Sequence, residues 1–192
     1  MSDSNRRLVI EGGESIIDFN SKAFKAVPES GIEDAVATMR AGMMYRYQPK
    51  RAEDSHVSLF EKEFATHLGS NFALGVNSCG AAMFIALNIA GVKPGDKVLS
   101  NGFTFTAVPS AIHHARAEPV FVESNLEWGL DAEDLENKVK ESGAKVLLLS
   151  YMRGHVPNMD AIMAVVKRHD LYLIEDCAHA YMTFWNGTKL GN

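Results

Sequence analysis

Three short segments of the sequence, at residues 77–80, 101–106 and 175–179, hold residue types that could do chemistry. Each directly follows a short apolar run typical of a strand, and ligands of open parallel sheets bind at the carboxyl ends of the strands. The first segment, Asn-Ser-Cys-Gly, precedes a stretch of small residues with helical character. The N-terminus of a helix there would offer free backbone N–H groups to a phosphate. Alternatively, the small residues only allow a helix to pack closely on the sheet.

The second segment carries two aromatic residues, Phe103 and Phe105, directly after the apolar run KVLS. Aromatic side chains at the end of a strand belong either to the hydrophobic core or to a platform on which a flat ring stacks. Taken alone, the pair is more typical of a core.

The third segment places Asp176 at the end of the apolar run LYLI, with His179 three residues later. A carboxylate at the end of a buried strand is costly unless it has a partner, such as a metal ion, a cationic ring or a helix terminus. The alternative is that Asp176 only caps a helix. A histidine taken alone is more typical of a buried side chain with satisfied hydrogen bonds than of a catalyst.

The composition is that of a folded protein and excludes several kinds of partner. The 192 residues are 46% hydrophobic and 22% charged, with a net charge of -5 at pH 7. Lysines and arginines are scattered, so we expect no nucleic-acid partner. Cys79 and Cys177 form neither a CxxC nor a zinc-site pattern, which favours a reducing compartment. No apolar run reaches the length of a signal-peptide core or a membrane span, and we therefore predict a soluble, cytoplasmic protein without membrane contact.

Periodicity along the chain predicts the elements that position the three segments. Residues 1–28 show little periodicity and are interpreted as an N-terminal arm suited to subunit contacts, and residues 29–192 as part of one larger domain. Helices are predicted from about Ile32 to Met43 and over DSHVSLFEKEFATHLG, where Asp54 or Ser55 would be the N-cap. After the second helix, NFALGV is predicted as a short strand and AAMFIALNIAG as an apolar helix.

The rest of the sequence alternates between strands and helices. The runs KVLS, EPVFVE, KVLLLS and LYLIED are rich in Val, Leu and Ile and lack apolar-polar alternation, as is typical of buried parallel strands. Helical stretches lie between them, notably DAEDLENKVKES, opened by Asp131, and NMDAIMAVVKRHD. The alternation predicts an α/β fold with a mostly parallel sheet wrapped by helices.

A turn that holds phosphate, an aromatic platform and an Asp-x-x-His motif together match the needs of pyridoxal phosphate, whose ring, ring nitrogen and phosphate must all be held. Seven segments from about Phe60 to Asn192, in this order, resemble the DegT/DnrJ/EryC1/StrS aminotransferases. These segments are FEKEFATHLGS, VNSCGAAMFIALNIAGVKPGDKVL, GFTFTAVPSAI, AEPVFVE, MRGHVPNMDAI, LYLIEDCAHA and WNGTKLG. The resemblance implies the large domain of a fold-type I pyridoxal-phosphate-dependent transferase, incomplete at the C-terminus.

The resemblance also implies roles for individual residues. The residues implied in cofactor binding are Ser78, Cys79, Gly80, Phe105, Asp176 and His179. Backbone N–H groups of Cys79 and Gly80 would hold the phosphate, and Phe105 would stack on the pyridine ring. Asp176, the one residue assigned a catalytic role, would pair with the ring nitrogen, and His179 would lie near the phenolic oxygen, where many relatives have glutamine. Most relatives have Ser-Gly-Thr at residues 78–80, so a threonine hydroxyl is missing here.

In the family, the lysine that holds the cofactor covalently follows the segment equivalent to WNGTKLG, and Lys189 does not match it. We therefore expect the chain to be the N-terminal part of a longer polypeptide, a fragment or one half of a split enzyme. A companion C-terminal segment would supply the lysine, the rest of the large domain and the small domain. The chain alone is expected to be inactive.

The activity implied by the resemblance is transfer of an amino group from glutamate or glutamine to a keto sugar, such as a nucleotide sugar, or a similar cyclic keto compound. A homodimer is expected, as in the family. Two alternatives stay open at this point. One is a sugar dehydratase of the same family, in which the lysine is usually replaced by histidine, and the other is a non-catalytic assembly module that keeps the fold. The sequence leaves the acceptor, the donor and the residue at the lysine position open.

Overall fold

The structure is a computed structural model that describes residues 7–15, 26–51 and 54–192. It divides into two compact units, Met1–Arg51 and Ala52–Asn192. The predicted boundary between an arm and a larger domain, after residue 28, falls inside the first unit and stays a prediction. Among the residues that the structure describes, no helix has the length and apolar character needed to cross a membrane.

The first unit contains a short 3-10 helix, Val9–Glu11, and helix α1, Glu29–Ala41. The helix predicted from about Ile32 to Met43 is thus confirmed, with an earlier start and an earlier end. The helix ends at Ala41, and its C-cap is Gly42, whose φ of 68° lies in the left-handed region that glycine adopts without steric cost. Much of the predicted arm, at residues 1–6 and 16–25, lies outside the described residues.

The second unit contains the 3-10 helix Met152–Gly154 among its described residues. Its described residues also form five α-helices, and all but the third follow stretches predicted from the sequence. They are α2 His56–Leu68, α3 Cys79–Ile89, α4 Ala107–His114, α5 Ala132–Ser142 and α6 Met159–His169. Of the two predicted N-caps of α2, the structure selects Ser55, whose side chain accepts a hydrogen bond from the N–H of Ser58. The predicted cap of α5, Asp131, is confirmed, since it accepts hydrogen bonds from two N–H groups of the first turn.

Four parallel strands form the central sheet, in the order β2-β1-β3-β4. Their bounds are β1 Lys97–Asn101, β2 Glu118–Val122, β3 Val146–Ser150 and β4 Tyr172–Asp176. All four predicted strands of this region are confirmed. A separate antiparallel hairpin follows, with β5 Phe184–Trp185 and β6 Thr188–Lys189 joined at Asn186 and Gly187.

Helices cover both faces of the sheet, which explains why its strands lack alternation. Leu147 and Leu149 of β3 pack on one face against residues of α5 and α6. Val146 and Leu148 pack on the opposite face against residues of α3 and α4. Because neighbouring side chains of a strand point to opposite faces, a strand buried on both sides must be apolar at every position. Burial of one such leucine contributes about 1.5–3 kcal/mol.

The predicted strand NFALGV is wrong, because residues 71–76 form an irregular segment. Phe72 is 89% exposed, and the N–H of Gly75 donates to Glu61 Oε1 at 2.7 Å instead of to a neighbouring strand. An apolar run becomes a strand only where another strand supplies hydrogen-bond partners. Neither edge strand of the sheet, β2 or β4, pairs with these residues.

Candidate functional site

The carboxylate of Asp176 lies at the carboxyl end of β4, where the register pairs it with Ser150 at the end of β3. Ser150 Oγ donates to Asp176 Oδ2 at 2.9 Å, and the N–H of Ala178 donates to Oδ1 at 3.1 Å. Residues 177–182 form turns, so the interpretation of Asp176 as a helix cap is wrong. The acidic group at the strand end is instead held by hydroxyl and amide donors.

The N-terminus of α3 lies beside this carboxylate. Ser78 is the N-cap, and its Oγ accepts a hydrogen bond from the N–H of Ala81 at 3.1 Å. The helix offers no acceptor to the N–H groups of its first residues, Cys79 and Gly80. The thiol of Cys79 donates to Asp176 Oδ1 at 3.6 Å. Two of the segments singled out in the sequence therefore meet at one edge of the sheet.

Both cysteines near the site are held in the neutral thiol form. Burial raises the pKa of Cys79 above its usual value, and the neighbouring carboxylate of Asp176 raises it further. Burial also raises the pKa of Cys177 to about 12, with further contributions from the charges of Glu175 and Asp176. A thiol is a poor nucleophile unless it ionises, so neither cysteine is a candidate nucleophile at neutral pH. Cys79 acts here as a hydrogen-bond donor.

Glu175, the other acid at the end of β4, has a separate partner. The hydroxyl of the buried Tyr151 donates to Glu175 Oε1, and the N–H of Gly191 donates to the same oxygen. Burial is the largest cause that raises the pKa of Tyr151, and this hydrogen bond raises it further. Consecutive residues of a strand face opposite sides of the sheet, so Glu175 binds Tyr151, which follows β3, and Gly191, which follows the hairpin, away from the site around Asp176.

Phe105 lies in the loop between β1 and α4 and is 61% exposed. A core position for Phe105, the role that the sequence taken alone favoured, is therefore wrong. Phe103 is half-buried and packs on Trp128, with ring centroids 5.1 Å apart. The two aromatic residues thus separate into one that packs and one whose ring is accessible to a ligand. Stacking of Phe105 on a cofactor stays a prediction.

His179 is exposed, so it is not a buried histidine of the core. Its Nδ1 accepts a hydrogen bond from the N–H of Arg153 at 3.1 Å. His179 follows β4 and Phe105 follows β1, so both lie in loops at the carboxyl edge of the sheet. In the described part of the chain, His179 is not hydrogen-bonded to Asp176. The described residues hold no group of three or more acids, cysteines and histidines that could bind a metal ion.

Two further polar residues at this edge are buried: Ser150, which the sequence did not single out, and Asn101, which lies in the second segment but had no role assigned to it. Asn101 is 3% exposed and ends β1, and Ser150 is 6% exposed and ends β3. Asn101 Nδ2 donates to the carbonyl oxygen of Ser150 at 3.0 Å, and Asn101 Oδ1 accepts from the N–H of Ser150 at 3.0 Å. The available signal was a polar residue at the end of an apolar run, which also marked Asp176.

One family model and several known proteins match most of this chain. The model of the DegT/DnrJ/EryC1/StrS aminotransferase family matches residues 43–192. The spore coat polysaccharide biosynthesis protein SpsC of Bacillus subtilis (strain 168) is 35% identical over 162 residues, which cover 84% of this chain and 40% of SpsC. The L-glutamine:2-deoxy-scyllo-inosose aminotransferase of Streptomyces fradiae is 28% identical, over 96% of this chain and 43% of that protein. The chain spans about two fifths of the length of these relatives.

Solved structures with the same fold include 3-amino-5-hydroxybenzoic acid synthase, with a TM-score of 0.80 and 29% identity over 88% of this chain and 43% of that chain. They also include the pyridoxal-phosphate form of the putative sugar aminotransferase Spr1654 from Streptococcus pneumoniae. Its TM-score is 0.73, with 26% identity over 86% of this chain and 44% of that chain. The predicted fold class, the fold-type I α/β architecture, is confirmed.

Proposed function

Because the chain belongs to the DegT/DnrJ/EryC1/StrS aminotransferase family, we propose that it forms the cofactor-binding part of a pyridoxal-phosphate-dependent aminotransferase. The proposed reaction moves an amino group from glutamate or glutamine to a keto sugar or a similar cyclic keto compound. The observation that carries the proposal is the carboxylate of Asp176, fixed by Ser150 beside the N-terminus of α3. The names of the Streptomyces fradiae and Streptococcus pneumoniae proteins support the donor and the class of acceptor.

Pyridoxal phosphate is the cofactor of this family, and the residues at the carboxyl edge fit its parts. The carboxylate of Asp176 is complementary to a protonated pyridine nitrogen. The N–H groups of Cys79 and Gly80, to which α3 itself offers no acceptor, lie at the positive end of this helix and are complementary to a phosphate. The accessible ring of Phe105 offers an apolar face. When bound, the cofactor supplies a ring that withdraws electrons and stabilises negative charge at the substrate carbon.

The hydrogen bond of His179 determines which of its ring nitrogens can act on a ligand. Nδ1 accepts from the N–H of Arg153, so in the neutral imidazole the proton is on Nε2. We propose that Nε2 donates to the phenolic oxygen of the cofactor. A glutamine side chain, which many relatives have at this position, also presents an N–H donor. The substitution of histidine for glutamine therefore keeps the donor.

We further propose that the lysine that anchors the cofactor comes from a companion segment outside residues 1–192. Lys189, in β6, donates from Nζ to the carbonyl oxygen of His67 and is thus held by α2. A homodimer and a nucleotide-sugar substrate, which the resemblance to the family implies, and a cytoplasmic location, which the composition favours, are the remaining parts of this proposal.

The test is carried out on the full-length protein. Purified protein is titrated with pyridoxal phosphate and then incubated with nitrogen-15-labelled glutamate or glutamine and a panel of keto sugars. We expect saturable cofactor binding, a donor-dependent change of the cofactor absorption and labelled nitrogen in an amino sugar by mass spectrometry. Absence of cofactor binding would contradict the proposal. A deoxygenated sugar product without labelled nitrogen would identify the dehydratase, and cofactor binding without any product would favour an assembly module.

A further inference from the structure

A chain of hydrogen bonds crosses the carboxyl ends of three neighbouring strands. It begins at the side chain of Asn101 on β1, passes through the backbone and hydroxyl of Ser150 on β3, and ends at Asp176 Oδ2 on β4. Both linking residues are buried. Buried polar groups are costly unless they are paired, and here the side-chain amide of Asn101 and the N–H, carbonyl and hydroxyl groups of Ser150 all have partners.

The hydrogen bonds between Asn101 and Ser150 take the place of the backbone hydrogen bonds between β1 and β3 beyond the point where those end. The register between β1 and β3 ends with Ser100 opposite Leu148, although β3 continues to Ser150. The side-chain amide of Asn101 then binds both the N–H and the carbonyl oxygen of Ser150, as the backbone of a neighbouring strand would. The end of β3 is therefore held in place on both sides, because β4 pairs with it on the other side.

The same amide reaches the aromatic loop. Asn101 Nδ2 also donates to the carbonyl oxygen of Phe103 at 2.6 Å. Phe103 lies two residues before Phe105, the candidate ring platform. One buried side chain thus connects the loop that carries this platform with the strand end that holds Asp176.

The hydrogen bond between Ser150 and Asp176 determines which carboxylate oxygen of Asp176 can accept a hydrogen bond from a ligand. Each carboxylate oxygen has two acceptor positions. Oδ1 accepts from the Cys79 thiol and from the N–H of Ala178, whereas the one donor to Oδ2 among the described residues is Ser150 Oγ. Oδ2 therefore keeps one acceptor position, and its orientation is set by Ser150.

We propose that Ser150 and Asn101 are positioning residues of the cofactor site: Ser150 presents Asp176 Oδ2 to the pyridine nitrogen, and Asn101 holds Ser150 and the Phe105 loop in register. This inference rests on the proposed function, because it assigns Asp176 to the ring nitrogen. Neither residue touches the reacting atoms, and both act through their neighbours. A hydrogen bond to a charged group is strong, so its loss should be measurable as weaker cofactor binding.

The test compares two serine hydroxyls in the full-length protein. Ser150→Ala removes the donor to Asp176, and Ser100→Ala removes a buried hydroxyl of the neighbouring strand that has no hydrogen-bond partner among the described residues. We expect Ser150→Ala to bind pyridoxal phosphate about tenfold more weakly, equivalent to about 1.4 kcal/mol. Ser100→Ala should bind it as the unchanged protein does. Ser150→Cys keeps a weaker donor of similar size, and its affinity for pyridoxal phosphate should lie between those of Ser150→Ala and the unchanged protein.

A double-mutant cycle separates positioning from a general effect on folding. In an Asp176→Ala background, Ser150→Ala should cause no further loss of cofactor affinity. Equal affinity of Ser150→Ala and the unchanged protein, or a full tenfold loss in the Asp176→Ala background, would overturn the inference alone. Failure of the unchanged protein to bind pyridoxal phosphate would instead overturn the proposed function, and the inference with it.

Discussion

Replacing Asp176 by asparagine should damage cofactor binding far more than it damages the fold. The amide keeps one oxygen, which can still accept from the N–H of Ala178, and the hydroxyl of Ser150 can rotate to accept instead of donate. We therefore expect the free energy of unfolding of the apoprotein to change by about 1 kcal/mol or less. The negative charge that is complementary to a protonated ring nitrogen is lost entirely.

The loss of a hydrogen bond to a charged group corresponds to about 1.5–3 kcal/mol, or about a tenfold to hundredfold rise in the dissociation constant of pyridoxal phosphate. Turnover should fall by about a hundredfold or more, because a neutral amide does not hold a proton on the ring nitrogen. Absorption titration gives the affinity, thermal unfolding gives the stability and nitrogen transfer from a labelled donor gives the turnover.

Glu175→Gln is the matched control, since it neutralises the adjacent acid, which is paired with Tyr151 instead of lying at the site. It should leave the affinity for pyridoxal phosphate unchanged while lowering the melting temperature. Turnover of Asp176→Asn close to that of the unchanged protein would refute the assignment of Asp176 to the ring nitrogen. An equal loss of affinity in both variants would show that net charge, and not position, matters.

Phe105→Ala should weaken pyridoxal phosphate binding by up to about tenfold with little change in melting temperature, whereas Phe103→Ala, which removes the contact with Trp128, should lower the melting temperature more. A Cβ at Gly80 would meet nothing nearer than Ser78 Oγ at 3.9 Å, so Gly80→Thr should restore a hydroxyl near the phosphate and tighten binding about fivefold, while Gly80→Ala should not. Lys140, His169 and Arg168 lower the pKa of Glu136 from 4.5 to about 2, so Glu136→Gln should reduce stability above about pH 4.5, and its effect should fade as the pH falls towards 2 in acid-unfolding curves. Residues 1–192 expressed alone should bind pyridoxal phosphate loosely and give no stoichiometric lysine adduct after treatment with borohydride, as determined by mass spectrometry.

Each of these four expectations has an outcome that contradicts it. A large loss of stability in Phe105→Ala with unchanged affinity for pyridoxal phosphate would show that Phe105 does not stack on the cofactor ring. Equal affinities of the two Gly80 variants would place the phosphate elsewhere. A difference between Glu136→Gln and the unchanged protein that is as large at pH 2 as at pH 7 would show that the effect does not come from the charge of Glu136. A defined lysine adduct with transaminase turnover by residues 1–192 would show that no companion segment is needed.

The residue pattern was sufficient to predict the four central strands and the helices between them. A strand buried on both faces, such as β3, must be apolar throughout, and few other elements produce such a run. The same runs located the ends of these four strands, and therefore Asp176. The run NFALGV looks similar in composition, but strand formation depends on a neighbour that the local sequence does not specify.

The contacts within the site could not be predicted in the same way. Cys79 and Asp176 are far apart in sequence, and Asn101 meets Ser150 only because β1 and β3 are neighbours in the sheet. Strand order is a property of the whole fold, and the local pattern that ends each strand carries no information about it. The exposure of Phe105 likewise depends on how its loop leaves β1.

The strand order also has a consequence for how the molecule assembles during folding. The centre of the sheet joins β1 to β3, so Val98 must find Val146, with β2 and two helices between them in the chain. Such distant pairings require closure of long loops and are slow compared with local contacts. As synthesis proceeds from the N-terminus, β1 and β2 leave the ribosome before β3. The edge of the apolar strand β1 that pairs with β3 therefore stays unpaired until β3 arrives. The nascent chain is therefore most prone to aggregate, and most dependent on chaperones, in the interval before β3 is inserted.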